Sequence, residues 1–182
     1  FPMKKRIQLA ALAGAVLMAL SFSACAVDMS DTSAVSSTSS ESSEAEATPE
    51  PVISVDESKY EDNLDGLADY MKKKEYISGD ATEMAAAMIG AEKVVKYTAS
   101  YDGNNNITME LYEYNTASLN DTAKEVLEAV KKDGKFDMMG TMVDAVISDS
   151  GKYLMIYKDS ATGDLHDART EAVVKDFKAF KK

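Results

Sequence analysis

One thiol, one imidazole, a set of methionine thioethers and a few carboxylates are the side chains of this 182-residue chain with chemistry to offer. The thiol is Cys25, in Ser21-Phe-Ser-Ala-Cys-Ala-Val-Asp28, directly behind an apolar run and flanked by small residues. With no other cysteine, residues 26–182 can form no internal disulfide and carry no thiol chemistry. The imidazole is His166, between Asp164 and Asp167 near the start of a helical pattern, where it reads as a solvated polar residue. A general base needs a positioned nucleophile, and the sequence offers His166 none. Asp102-x-Asn104-x-Asn106 with Glu113 partly imitates a calcium loop, but Ile107 stands where the loop needs glycine, so a plain hairpin turn is expected. Met84, Met88, Met138, Met139 and Met142 could suit a soft metal; their helical or strand spacing reads as core filling instead. Phosphate loops, nucleophile elbows and zinc-ligand spacings are absent from the sequence, and neither catalysis nor a cofactor is expected.

The start of the chain supplies an address. Met3, a plausible initiator, opens Met-Lys-Lys-Arg6, and residues 7–24 are apolar and end in small residues, the pattern of an export signal. Phe22-Ser23-Ala24-Cys25 resembles the lipobox of bacterial lipoproteins at its two small positions and its cysteine, with Phe22 where that family usually has an aliphatic residue. The resemblance implies that residues 1–24 are a signal peptide and that Cys25 receives diacylglycerol and becomes the first mature residue. The protein would then sit on the extracytoplasmic side of a cell membrane. Two acyl chains meet the requirement for stable anchoring, since each buried methylene contributes about 0.8 kcal/mol. Retention of residues 7–24 as a membrane span, or cleavage that frees a soluble protein, are the competing outcomes.

Residues 26–51 are Ser, Thr, Ala and acids with too few large apolar groups for a core, so a disordered tether spanning roughly 25 to 30 Å is expected. Removing the three leader bases and six tether acids from the net charge of −11 leaves −8 on residues 52–182. A field of that sign argues against nucleic acid and against charge-driven adhesion to anionic lipid. The remaining partner classes are a protein, a peptide or a glycan.

Residues 52–182 are expected to form one α+β domain in the order α-α-β-β-α-β-β-α. Ser54 to Glu57 matches a capping box ahead of Tyr60, Leu64, Leu67 and Met71, and Asp80 to Glu83 could cap a second helix that Gly90 stops. Two hairpins follow, each leading into a helix. The first pairs Tyr101 with Ile107 across residues 102–106, and the second pairs Ser148 with Tyr153. The helices run from Ser118 to Gly134 and from about Asp164 to Phe180, the latter with Leu165, Ala172, Val173, Phe177 and Phe180 as its buried stripe. With both helices on the more apolar face of a four-stranded antiparallel sheet, the result is a two-layer sandwich. The domain is also similar to uncharacterised lipoproteins of Gram-positive gut bacteria, in Glu110 to Tyr114 and Gly151 to Tyr157.

In these registers Tyr112, Tyr114, Tyr153 and Tyr157 share the second sheet face with Val146 and Met155. Tyrosine joins a flat apolar ring to a hydroxyl, which suits peptide or glycan contacts, so these four are the candidate ligand-binding residues. Coverage by the first two helices would make them core instead. The expected function is therefore a lipid-anchored, non-catalytic binding module. An envelope hydrolase using Glu110 and Asp144, which alternate onto the same face, and a structural or assembly subunit are the alternatives.

Overall fold

The computed structural model describes residues 53–182; the leader, Cys25 and the tether lie outside the described residues. The domain mixes helices with an antiparallel sheet, as expected, but the sheet has five strands and is covered on both faces. In chain order the elements are α1 (Leu64–Lys73), β1 (Thr82–Glu83), β2 (Lys93–Ala99), β3 (Ile107–Glu113), α2 (Asp121–Asp133), β4 (Lys135–Met138), β5 (Thr141–Asp144), β6 (Val146–Ile147), β7 (Tyr153–Asp159) and α3 (Asp164–Ala179). Two 3-10 turns, Glu57–Lys59 and Ala86–Ile89, precede α1 and β2. The sheet order is β1-β2-β3-β7-β6, and β4 and β5 form a separate two-stranded ribbon.

Local chemistry explains the helix ends. Asn63 accepts a hydrogen bond from Gly66 N at 2.8 Å and Asn120 one from Ala123 N at 2.8 Å, each satisfying an otherwise orphaned first-turn amide. The capping-box residues 54–57 open only the first 3-10 turn, where Asp56 caps Ser58 N; α1 begins later, at Leu64. The helix expected after Asp80 is a two-residue strand and a 3-10 turn, stopped by Gly90 in the left-handed conformation as the sequence indicated.

The first hairpin pairs Ala99, not Tyr101, with Ile107. That shift of two residues leaves every side chain on its expected face. The second hairpin has the expected register, with Ile147 opposite Leu154, but its first strand breaks at Ala145, and β5 turns away to pair with β4. β3 and β7 join the hairpins, pairing Glu113 with Tyr153 and Tyr112 with Leu154. Odd-numbered residues of both strands therefore share one face and even-numbered ones the other. The odd face carries Met109, Leu111, Tyr153 and Met155 beneath α1 and α3; the even face carries Tyr112 and Leu154 beneath α2. Thus α2 and α3 lie on opposite faces rather than together. The helix α3 buries His166, Arg169, Val173 and Phe177, whereas Leu165 and Ala172 of the expected stripe are exposed.

Candidate functional site

The four tyrosines do not form one surface. Tyr112 and Tyr114 belong to the core under α2, while Tyr153 and Tyr157 pack on the face under α1 and α3. Tyr112 and Tyr153 are 3% and 0% exposed, so their rings are packing residues. Three of the four hydroxyls are also engaged, whereas that of Tyr157 is buried without a hydrogen-bond partner among the described residues. Tyr112 donates to Glu110 Oε2 at 2.8 Å, Tyr114 to the Ile89 carbonyl at 3.2 Å and Tyr153 to Asp62 Oδ1 at 2.6 Å. Burial, reinforced for Tyr112 and Tyr153 by those carboxylates, pushes all three phenols well above their ordinary pKa. Tyr157 is half-buried, and burial raises its phenol too, against the opposing charge of Arg169.

Glu110 and Asp144 are likewise apart. Glu110 lies mid-sheet with its carboxylate 3.3 Å from Lys96 Nζ, while Asp144 is exposed at the end of the β4–β5 ribbon, opposite Lys135. The calcium-like residues also separate: Asp102 and Asn104 are exposed in the turn, whereas Glu113 ends β3 far from it. There its buried carboxylate accepts a hydrogen bond from Leu64 N at 3.2 Å and pairs with Lys152 at 3.3 Å. A negative charge at the start of α1 is favourable because the first-turn amides carry partial positive charge. No group of three His, Cys, Asp or Glu side chains able to hold a metal occurs among the described residues. Of the five methionines expected as core filler, Met84, Met88, Met139 and Met142 are exposed and only Met138 is half-buried.

His166, expected in solvent, is buried, with Nδ1 2.8 Å from Asp159 Oδ2. Asp159 Oδ1 accepts hydrogen bonds from Asn106 Nδ2 and Ala161 N, both at 2.9 Å. Burial raises the Asp159 carboxyl, but the hydrogen bonds from Ala161, Asn106 and His166 outweigh it and hold the group below the ordinary carboxylate range. Tyr101 stacks edge-on to His166, and the Arg169 guanidinium lies 3.8 Å from the centre of the same Tyr101 ring. An imidazole oriented by a carboxylate resembles part of a catalytic triad, yet the neighbouring hydroxyls are directed elsewhere. Ser160 Oγ donates to the Asn106 carbonyl at 3.3 Å, and Thr170 Oγ1 to the carbonyl of His166 itself at 2.9 Å. The cluster ties the β2–β3 turn to α3. It was detectable in the sequence: stepping back from Phe177 through Val173 by helical spacing reaches Arg169 and His166, not Leu165.

A groove of about 560 Å³ opens beside the first three residues of β2, Lys93, Val94 and Val95. Met84, Ala87, Ala91 and Val95 give it apolar walls; Asp65, Glu83 and Glu92 place three carboxylates on it against the single ammonium of Lys93. The strand β1 pairs only with Val95 and Lys96, so among the described residues no strand pairs with the remaining outer edge of β2. Sequence reasoning missed this site because it placed a helix where β1 and the 3-10 turn now form the rim.

The fold and site define the chain as an α+β domain with a five-stranded antiparallel sheet and an acidic groove at one sheet edge. No protein-family model matches the chain, and neither a curated protein nor a solved structure shows significant similarity to it. Among the described residues no helix is long and apolar enough to cross a membrane.

Proposed function

We propose that the chain is a lipid-anchored, extracytoplasmic binding module that takes an extended, positively charged peptide segment along the outer edge of β2. The observation that carries this reading is the conjunction of an outer edge left open by β1 at Lys93 and Val94 with a groove there bearing three carboxylates and one ammonium. An incoming strand would gain main-chain hydrogen bonds from β2, alternate side chains would enter the apolar groove, and lysines or arginines would meet Asp65, Glu83 and Glu92. Anchoring rests on the lipobox at Cys25 and holds the module outside the membrane.

Binding is tested by fluorescence anisotropy with a labelled peptide of alternating valine and lysine. Reversing two groove charges, Glu83→Lys with Glu92→Lys, is expected to weaken it at least about tenfold, a change of about 1.4 kcal/mol. Equal affinity of the reversed variant, or equal affinity for a valine–glutamate peptide, refutes the assignment of the groove. The anchor is tested separately by mass spectrometry of the mature N-terminus, which should be a diacylglyceryl-modified Cys25. An unmodified Ala26 start or an intact Met3 start refutes lipidation at that sulfur.

A further inference from the structure

The described domain contains no cysteine, so its soft-ligand chemistry rests on thioethers. Met71, Met109 and Met155 are fully buried and fill the core. Met88, Met138 and Met139 behave differently: all three line one cavity of about 270 Å³ between the Ala86–Ile89 turn, α2 and the β4–β5 ribbon. Phe136 and Val126 contribute its apolar lining, and Glu125 and Asp137 bring carboxylates to it. Hydrophobic burial accounts for Met138, which packs against the core under α2, but not for Met88 and Met139, which are 53% and 87% exposed.

The backbone adds an independent sign. Met139 and Gly140 form the two-residue loop between β4 and β5, and both have positive φ, +53° and +86°. Such loops favour Asn-Gly or Gly-Gly, because a side chain at positive φ is strained. The chain places an exposed methionine at the first of these positions, and strain retained in a folded protein marks candidate functional positions.

We propose that Met88, Met138 and Met139 form a binding site for a soft monovalent cation of the Cu(I) class. Thioether sulfur is polarizable and selects such ions over hard ones. It also has no proton to lose, so binding does not compete with protonation of the ligands. Glu125 and Asp137 offset the charge of the ion, and the exposed methionine side chains have the rotamer freedom to close on it. The site shares no lining residue with the β2 groove, although Ala87 of the groove and Met88 are neighbours in one 3-10 turn, and it does not depend on the peptide-binding reading.

The test is a silver nitrate titration of the full chain carrying Cys25→Ser, which removes the competing thiol, in chloride-free buffer. Silver(I) serves as an air-stable closed-shell probe, read by NMR of carbon-13-labelled methionine methyl groups. The expected result is a saturable shift of Met88, Met138 and Met139 at one ion per chain, with Met84 unmoved and no response to Mg²⁺. Met88→Leu with Met139→Leu, two exposed positions, should leave Tm unchanged and weaken binding at least about tenfold. Shifts that follow exposure alone, with Met84 moving equally, would overturn the proposal as adventitious thioether contact. So would the absence of a saturable shift, or unchanged affinity in the double variant.

Discussion

Replacing Asp159 with Asn tests whether the carboxylate at the foot of α3 is the tie between that helix and the β2–β3 turn. The Asp159 side chain is 5% exposed and accepts hydrogen bonds from Asn106 and Ala161 on one oxygen while the other faces His166. Asp159→Asn keeps an acceptor for the first two donors and loses the charge-assisted bond to the imidazole, worth about 2 kcal/mol. The surviving bonds weaken as their acceptor becomes neutral, bringing the total to about 3 kcal/mol. For an ordered domain of this size, that corresponds to a fall in Tm of about 10 °C. The effect has a pH signature. The carboxyl is held below its ordinary value in the folded state. Its stabilisation is therefore complete above the unfolded pKa of about 3.9 and is lost as pH falls through the folded value. Calorimetry of wild type and variant should show the full gap at neutral pH and a shrinking one as the pH falls below the unfolded carboxyl value of about 3.9. A gap below about 1 kcal/mol at neutral pH, or one that persists undiminished in acid, refutes the reasoning.

Gly66→Ala should destabilise the domain by about 3 kcal/mol in urea denaturation, because the added Cβ would lie 2.1 Å from the backbone oxygen of Glu61 and neither atom can easily yield; a loss under about 1 kcal/mol would show that the turn before α1 is softer than described. Tyr112→Ser and Tyr153→Ser should each cost about 3 to 5 kcal/mol, visible as loss of near-ultraviolet circular dichroism, and a stably folded variant with wild-type Tm would contradict their burial. Met139→Asn should raise stability by about 0.5 to 1 kcal/mol by relieving the positive φ, and a lower Tm would count against strain at that loop.

Much of this architecture was readable without coordinates wherever one short stretch holds all the relevant forces. Gly90 and Gly134 mark helix ends because only a residue without Cβ adopts the left-handed conformation freely. The alternation in 93–99 and 107–113 reveals two faces, and the faces survive even a two-residue error in register. The start of α3 was harder. Leu165 looks like the buried residue by hydrophobicity, but Val173 and Phe177 set the rotation of the helix and turn His166 and Arg169 inward, where Asp159 and the ring of Tyr101 make burial tolerable.

The sequence by itself determined the charge of the domain, its lack of thiols beyond Cys25, the antiparallel hairpins and the two helices that follow them. Tertiary structure alone decided how the hairpins meet. The pairing of β3 with β7 joins strands separated by about forty residues, and no turn between them sets whether Tyr112 faces Tyr153 or Leu154. Because side chains alternate with period two, that single choice of parity divides the four tyrosines between two cores. It also sends α2 and α3 to opposite faces. The acidic groove beside β2 and the methionines around the β4–β5 ribbon then form from segments whose local patterns do not encode their meeting.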